Sequence, residues 1–243
     1  MKETRYFYVP DIKISNELPP EEAHHAMRVL RLREGDEILI TDGKGHLYEA
    51  RLAAVSARSC QFAVDREWQE VRTWQGGLHV AMAPTKNADR TEWAVEKMTE
   101  IGIDHISFME CDYSERRKMN LDRLSKILVS AVKQSHKAYV PQMDDMCSFS
   151  RFIAKDDAQE KFIAHCYDDE RLCIGGKPFL LDALKDAAHD VTVLIGPEGD
   201  FSVAEVEQAI QAGYQPIALG KSRLRTETAA LAALHIMNIH HRT

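Results

Sequence analysis

The chain lacks long apolar runs and has few cysteines, and these shortages exclude several classes of protein. None of its apolar runs approaches the roughly 20 residues that are needed to cross a bilayer. The 44% hydrophobic content of the 243 residues nevertheless suffices for a sizeable core. The five cysteines include no Cys-x-x-Cys pair, which argues against a disulfide framework and against a structural zinc site. The first residues lack the features of a signal peptide, so we expect a soluble, cytoplasmic protein.

Familiar motifs for nucleotide and metal binding are also missing. No Gly-x-Gly-x-x-Gly follows an early strand, and Gly175-Gly176-Lys177-Pro178 lacks the first glycine and the Ser/Thr of a P-loop. The pairs His24-His25 and His240-His241 are adjacent in sequence, so their imidazoles do not share a helix face as ligands four residues apart do. We predict no metal site, and no Ser/His/Asp set can be assembled.

The net charge of −7 argues against non-specific binding of nucleic acid. The basic residues are unevenly distributed, however, and residues 114–137 carry seven of them against two acidic ones. Two smaller basic groups are Arg28, Arg31 and Arg33, and Lys221, Arg223 and Arg225. Local basic surface on an acidic protein is compatible with a specific RNA partner, and equally with solvated helix faces.

Residues 1–73 have the pattern of a small β-barrel or sandwich. A strand at 36–41, the turn Asp42-Gly43-Lys44-Gly45 and a strand at 46–52 predict a β-hairpin. A further strand is predicted around 61–64, and a short helix from Pro20 to about Val29 precedes the strands.

From residue 74 onward, strands alternate with helices, which is typical of a mainly parallel α/β domain. Asp89 with Glu92 predicts a capping box for a helix that ends at Gly102, and Ser202 with Glu205 predicts another. A longer helix is predicted from Asn120, and an alanine-rich last helix from about Glu227 to Ile239. The strands are predicted at 78–83, 105–110, 161–166, 191–195 and 216–219.

Two of these strands each open into a glycine-containing loop. Val191–Ile195 runs into Gly196-Pro197-Glu198-Gly199, and Pro216–Leu219 runs into a loop from Gly220 to Thr228. Ligands of open parallel sheets bind in loops at the carboxyl ends of strands, so the two loops are predicted to line one pocket. Their glycines allow backbone groups to approach a ligand closely. The alternative is two ordinary tight turns between helices and strands.

These loops, with three motifs upstream, resemble the bacterial ribosomal small-subunit methyltransferase E family. The five motifs stand in the family's order and span nearly the whole chain. They are His25–Asp36, similar to the family's PUA-like barrel signature; Lys86–Trp93 with Lys97–Gly102; Ser114-Glu115-Arg116; Leu194–Ser202; and Leu219–Ala229.

The resemblance implies a fold and an activity. Residues 1–73 would form a PUA-like, RNA-binding β-barrel, and residues 74–243 a SPOUT-class methyltransferase domain, mainly parallel α/β, with a deep trefoil knot. The implied cofactor is S-adenosylmethionine and the implied assembly a homodimer. The implied reaction is methylation of N3 of one uridine, U1498 of 16S rRNA, in the small ribosomal subunit.

The resemblance also assigns residues to the cofactor. A third loop, near Tyr167 to Leu172, is expected to complete the site. The residues expected to bind S-adenosylmethionine are Leu194, Ile195, Gly196, Glu198, Gly199, Leu219, Gly220, Ser222, Leu224 and Thr226.

The chemistry of uracil suggests roles for the charged residues. N3 is protonated at neutral pH, so its methylation requires loss of the proton and stabilisation of the resulting anion. A cation near the carbonyl oxygens would stabilise that anion, and Arg225 is the first candidate, assisted by Arg223. Glu198 would hold the sulfonium end of the cofactor or accept the proton. The expected RNA contacts are Arg5, Arg28, Arg31, Arg33, Arg116, Arg117, Lys118 and Arg223.

One departure from the family pattern and three alternatives remain open. Where the family commonly has Glu-Gln-x-Gly-Arg, this chain has Lys133-Gln134-Ser135-His136-Lys137, so a bidentate phosphate contact there would become a point-charge contact. The alternatives are a SPOUT relative that methylates a ribose 2′-hydroxyl, a non-enzymatic assembly factor that binds RNA, and a small-molecule enzyme.

Overall fold

The computed structural model describes residues 5–56, 59–173 and 175–242. It divides the chain into two compact units. The first contains the residues up to Arg72 together with Val129–Val140, and the second contains Thr73–Leu128 and Pro141 onward. No helix in the described ranges is long and apolar enough to span a membrane.

The first unit is built on a four-stranded sheet in the order β1-β2-β3-β4. Strand β1 is parallel to β2, and the other pairs are antiparallel. The hairpin predicted around Asp42–Gly45 joins β2 to β3 and is confirmed. The strands are β1 (Tyr6–Tyr8), β2 (Glu37–Thr41), β3 (His46–Val55) and β4 (Cys60–Gln69).

The N-terminal stretch of the chain contributes to both edges of this sheet. Strand β1 forms one edge, and a few residues later the amide of Leu18 donates to Cys60 O at 2.9 Å and the amide of Phe62 donates to Asn16 O at 2.9 Å along β4. The sheet therefore curls towards a barrel, one of the two forms that the sequence predicts. The predicted helix is α1 (Pro20–His24), continued by a π-helical turn, His25–Val29.

The departure of this chain from the family pattern falls on a special backbone position. His136 has φ +52°, a left-handed conformation that glycine adopts without strain, which accounts for a glycine in the family motif. The His136 ring stacks on Tyr6 with centroids 5.3 Å apart, and the Tyr6 hydroxyl donates to Lys137 O at 2.8 Å. Both contacts lie within the first unit and hold this segment against β1.

The second unit contains a parallel sheet in the order β11-β9-β10-β5-β6-β7, with β8 also paired to β6. Strand β10 is buried along its whole length between β9 and β5, as its uninterrupted apolar sequence predicts. The strands are β5 (Leu78–Met82), β6 (His105–Glu110), β7 (Gln142–Met143), β8 (Cys147–Ser148), β9 (Glu160–Ala164), β10 (Val191–Ile195) and β11 (Gln215–Ile217).

Most of the predicted helix boundaries agree with the structure, but one cap was assigned to the wrong residue. Asn87, not Asp89, is the N-cap of the helix that ends at Gly102, because its side chain accepts the amide of Asp89 at 3.0 Å. Glu92 pairs instead with Arg123 at 2.7 Å. The capping box of Ser202 and Glu205 is confirmed. The remaining helices are α2 (Ala88–Ile101), α3 (Leu121–Gln134), α4 (Phe149–Ile153), α5 (Leu180–Ala183), α6 (Val203–Gln211) and α7 (Thr226–His240).

A polar network links the amino-terminal ends of β5, β6 and β10 in the second unit. His79 and His105 are paired neighbours whose rings stack 4.0 Å apart. His79 contacts Ser107 Oγ at 2.8 Å and Thr192 Oγ1 at 3.2 Å, and His105 contacts Asp144 at 2.6 Å. Burial, and then the neighbouring His105, lower the pKa of His79 to about 3, so its ring is neutral at physiological pH.

Candidate functional site

Two adjoining cavities lie at the carboxyl ends of the strands of the second unit. The first, of about 440 Å³, is walled by the loops that follow β10 and β11. The second, of about 560 Å³, is walled by the end of β9 and by the loop after β11. Ala164, Cys166, Arg223, Leu224 and Ala229 line both. The two late loops therefore face one site, as the sequence predicts.

Most of the predicted cofactor residues line these cavities. Ile195, Gly196, Glu198, Leu224 and Thr226 line the first, and Leu219, Gly220, Ser222 and again Leu224 line the second. Leu194 and Gly199 do not line either cavity. Leu194 is fully buried in the core beneath the loop, and Gly199 packs against Tyr113.

Asp200 joins the loop after β10 to the loop after β9. Its Oδ2 accepts the amide of Cys166 at 2.8 Å, and its Oδ1 accepts the amide of Phe201 at 2.8 Å. The residue has φ +69°, a conformation that aspartate tolerates better than most residues. Both Asp200 and Cys166 line the first cavity, so this carboxylate fixes two adjacent walls.

Glu198 connects the same loop to the segment after β5. Its Oε1 accepts the amide of Lys86 at 2.9 Å. Arg116 holds that segment from the other side, since its Nε donates to Thr85 O at 3.1 Å and its Nη2 to Lys86 O at 2.8 Å. Lys86 pairs with Glu115 at 2.7 Å. The Ser-Glu-Arg motif thus supports the carboxylate-bearing wall.

The predicted third loop, 167–172, follows β9 and is held by Lys177. The Lys177 ammonium donates to His165 O at 2.8 Å and to Tyr167 O at 2.7 Å. The Tyr167 hydroxyl donates to Phe201 O at 2.7 Å. Asp168 and Lys177 line the second cavity, so the start of this loop contributes to the site.

The donor and acceptor groups around the cavities fit a polar, partly apolar ligand such as S-adenosylmethionine. His165 lines the second cavity and is only 7% exposed, and neither ring nitrogen has a hydrogen-bond partner among the described residues. Burial, and then Lys177, lower its pKa to about 4. Buried polar atoms without partners are costly. A ligand hydroxyl or amino group that reached this ring would remove that cost.

Gly220 shows why glycine follows the last strand. Its φ of +149° is strained for other residues, and a Cβ there would meet no protein atom within 4 Å. The chain turns sharply at this point while leaving the cavity open. In the part of the chain that the structure describes, no hydrogen bond uses the amide of Leu219 or Leu224, so both remain available to a ligand.

Arg225 lies where the first cavity meets solvent. It lines the cavity, is exposed, and is the N-cap residue of α7. Across the described ranges, its guanidinium group makes no hydrogen bond or ion pair. Arg223 is also exposed, lines both cavities and lies near Cys166, whose thiol it influences electrostatically. Arg225 and Arg223 thus border the site as cations without a partner among the described residues.

The other predicted RNA-binding residues differ in how free they are. Arg28, Arg31 and Arg33 are exposed in the first unit and make no ion pair within the described residues, whereas Arg5 pairs with Asp36 at 2.8 Å. In the second unit, the exposed Lys118 makes no hydrogen bond or ion pair with any residue that the structure describes. Arg117 pairs with Glu110 at 2.8 Å, and the guanidinium group of Arg116 is engaged by backbone carbonyls.

Sequence reasoning missed Asp200 and His165. Asp200 had a signal, because an aspartate between a glycine and a capping box is a good candidate for a left-handed position. His165 had a weaker one, its place at the end of a predicted strand. Within the described ranges, we found no group of three or more His, Cys, Asp or Glu residues that could hold a metal ion.

Comparisons with known proteins agree with this architecture. Residues 73–238 match the family model of the RNA methyltransferase domain, and residues 18–65 match that of the RNA methyltransferase PUA domain. The chain belongs to the RNA methyltransferase family. The predicted fold class, a mainly parallel α/β domain with an N-terminal PUA-like domain, is therefore confirmed.

Individual relatives narrow the family further. Ribosomal RNA small subunit methyltransferase E of Bacillus subtilis is 28% identical over 222 residues, which cover 88% of this chain and 86% of the relative. The protein of the same name from Mycobacterium tuberculosis is 26% identical over 247 residues, which cover 96% and 90%. The resemblance predicted from the motifs is confirmed.

Solved structures give the same result. A probable rRNA-methyltransferase from Porphyromonas gingivalis is 41% identical, with a TM-score of 0.90 and 98% of each chain covered. A ribosomal RNA small subunit methyltransferase E from Neisseria gonorrhoeae, bound to S-adenosyl methionine, is 26% identical with a TM-score of 0.83, again over 98% of each chain.

Proposed function

We propose that this protein transfers a methyl group from S-adenosylmethionine to N3 of one uridine, U1498, in 16S rRNA of the small ribosomal subunit. The observation that carries the proposal is the meeting of both late loops at one pair of cavities, with Arg225 at the mouth. The Neisseria relative that binds S-adenosyl methionine supports the cofactor. The relatives from Bacillus subtilis and Mycobacterium tuberculosis, both named ribosomal RNA small subunit methyltransferase E, support the small-subunit rRNA substrate.

S-adenosylmethionine would be held by the loops after β9, β10 and β11. The apolar side chains of Ile195, Leu219 and Leu224 would contact the adenine ring, and the free amides of Leu219 and Leu224 would bind its polar edge. When bound, the cofactor supplies an electrophilic methyl group on a sulfonium centre. Glu198, the exposed carboxylate of the first cavity, complements that positive charge.

Arg225 would stabilise the uracil anion. The unengaged guanidinium group can donate two parallel hydrogen bonds, and an exposed position at the cavity mouth lets it meet a base that enters from solvent. Preorganised donors of this kind typically contribute about 10²- to 10³-fold to turnover. Arg223, two residues earlier, would contact the phosphate backbone or assist Arg225.

Glu198 is the carboxylate best placed to accept the N3 proton, with a second role in the loop. Because Oε1 accepts the amide of Lys86, that oxygen serves to fix the loop after β10, which forms a wall of the first cavity. The other oxygen, Oε2, would face the sulfonium charge or accept the proton.

RNA would dock on both units. Arg28, Arg31 and Arg33 in the PUA-like domain, assigned to residues 1–73, and Arg117 and Lys118 in the methyltransferase domain, assigned to residues 74–243, would contact phosphates. The target uridine would leave its stack to reach the methyl group, as bases do in other base-modifying enzymes.

The proposal includes three properties of the family: a deep trefoil knot in the methyltransferase domain, a homodimer, and action in the cytoplasm on the ribosomal subunit. The exposed Trp93 on α2 and Ile239 on α7, two helices that pack against each other, support an interface at this surface. Light scattering of the purified protein tests the dimer.

The activity is tested on small-subunit particles from a strain without the gene. The particles are incubated with the protein and labelled S-adenosylmethionine, and the modified nucleoside is identified and mapped. We expect 3-methyluridine at one position. A 2′-O-methylated nucleoside would support the ribose methyltransferase alternative, and calorimetric binding of the cofactor without methyl transfer to any particle would contradict the proposal.

Within that assay, Arg225→Ala tests the proposed anion stabilisation. We expect turnover to fall by at least about 100-fold, while the calorimetric dissociation constant for S-adenosylmethionine stays within about twofold. Unchanged turnover would exclude the role.

A further inference from the structure

Tyr113 is a large aromatic residue that remains 53% exposed beside the candidate cofactor site. It lies in the loop after β6 and packs against Gly199, where an added Cβ would lie 3.1 Å from the Cβ of Tyr113. Glu198, the residue before Gly199, lines the first cavity. Tyr113 thus borders the loop that forms a wall of that cavity, and the glycine at 199 makes this approach possible.

The backbone on both sides of Tyr113 is anchored. The amide of Asp112 donates to Glu205 Oε1 at 2.9 Å, and Ser202 Oγ donates to Asp112 Oδ2 at 2.6 Å. Ser114 Oγ accepts the amide of Cys111 at 3.0 Å. The loop therefore holds the backbone of Tyr113 in place, while within the described ranges the Tyr113 hydroxyl has no hydrogen-bond partner.

Such anchoring of the backbone is unusual around an exposed residue that serves only the fold. Replacing an exposed aromatic residue by a polar one typically costs a fold little, yet here the preceding residue, Asp112, is bonded to both capping residues of α6. Exposed cations follow in the same segment, Arg117 and Lys118. Exposed aromatic rings together with basic residues are the groups with which proteins bind unstacked bases of RNA.

We propose that Tyr113 is a positioning residue that stacks on an unpaired base of the rRNA strand carrying the target uridine. The inference rests on the proposed function, and it adds a contact for the RNA base to the phosphate contacts already assigned. Stacking holds the strand beside the cavity mouth, so Tyr113 acts on substrate binding and leaves cofactor binding unchanged.

The test compares a series of substitutions at one position. Tyr113→Trp, Tyr113→Phe, Tyr113→Leu and Tyr113→Ala are assayed for KM and kcat with small-subunit particles, and for cofactor affinity by calorimetry. Val203→Ala, which truncates a 40% exposed apolar side chain on α6, is the matched control. Thermal unfolding and cofactor affinity report whether each variant is folded.

The aromatic variants are expected to keep the wild-type KM, and Tyr113→Ala to raise it roughly tenfold, equivalent to about 1.4 kcal/mol. Tyr113→Leu should resemble Tyr113→Ala, because it provides apolar area without a π-face. The salt dependence of particle binding should not change, since the ring carries no charge. Cofactor affinity and the control should match the wild type.

Three results would overturn the inference: an unchanged KM in Tyr113→Ala, equal KM values for the leucine and phenylalanine variants, or a loss of cofactor affinity in Tyr113→Ala. The second would point to an apolar contact with a protein of the particle, and the third to a structural role in the cavity wall. If the wild-type protein transfers no methyl group, the proposed function fails first, and this outcome is separate.

Discussion

The side-chain carboxylate of Asp200 accepts the backbone amide of Cys166 at 2.8 Å, so one residue couples the carboxyl ends of two neighbouring parallel strands. The same carboxylate accepts the amide of Phe201. A charge-assisted hydrogen bond to a backbone amide therefore joins the two cavity walls, in addition to the bond of the Tyr167 hydroxyl to Phe201 O.

Removal of this clamp is expected to weaken cofactor binding. A hydrogen bond to a charged group contributes about 1.5–3 kcal/mol, so Asp200→Ala should raise the dissociation constant for S-adenosylmethionine about tenfold or more in calorimetry. Asp200→Gly relieves the φ of +69° without restoring the clamp and should behave like Asp200→Ala. Full recovery in the glycine variant would show that only backbone strain matters.

Glu198 should tolerate an amide better than truncation. Glutamine keeps an oxygen that can accept the amide of Lys86, so Glu198→Gln should retain cofactor affinity within about threefold of the wild type, whereas Glu198→Ala should lose roughly tenfold, in line with a lost bond to a charged group. Turnover of Glu198→Gln then isolates the charge. A fall of about 100-fold or more would assign the general base to this carboxylate, and a small change would leave it a positioning role.

Arg116 and Lys118 should affect RNA binding in different ways. Lys118→Ala removes a free surface cation, so the slope of log affinity against log salt should become shallower by about 0.7–0.9. Arg116→Ala should leave that slope nearly unchanged, because the guanidinium group binds Thr85 O and Lys86 O, and should instead lower thermal stability. Equal changes in slope would contradict this division of roles.

The stability of the fold should fall in mild acid through His79. The pKa of His79 in the folded protein, about 3, lies below that of an unfolded histidine, about 6.5. The unfolded chain therefore binds more protons between these values, and the free energy of unfolding should fall as pH falls from about 6.5 towards 3. The stabilisation is fully present above that window.

Urea unfolding between pH 7 and pH 4 measures this effect. One such group contributes at most about 1.4 kcal/mol per pH unit within the window. His79→Gln, which can still bond Ser107 and Thr192, should flatten the dependence, although His165 and Asp144, whose pKa values are also lowered in the folded protein, leave a remainder. Parallel curves for the variant and the wild type would exclude His79 as a source.

The sequence predicted the elements well where periodicity and caps were strong. The uninterrupted apolar run of β10, the capping box of Ser202 and the helix end at Gly102 are all local signals, and the structure agrees with them. Asp89 was misassigned because Asn87, two residues earlier, is an equally good capping residue, and residue type alone does not choose between them.

The site was predictable only in part, for a physical reason. The loops after β10 and β11 carry glycines that mark tight turns, so their shared place at the carboxyl ends could be predicted. The clamp of Asp200 on Cys166 and the support of Lys86 by Arg116 join residues about 30 apart in sequence. Tyr113 and Gly199 are still further apart. Such pairs depend on the strand order, which local sequence does not encode.

The pairing of β10 with β5 also has a consequence for how the protein folds. Val191 lies beside Leu78, so roughly 110 residues must be synthesised and brought back before the central pair of strands can close. Parallel pairing over such separations closes slowly, because loop entropy opposes it until native contacts form. The cavities at the ends of these strands therefore appear only with the completed sheet. A cofactor bound there would raise the free energy of unfolding, since it binds the folded chain alone.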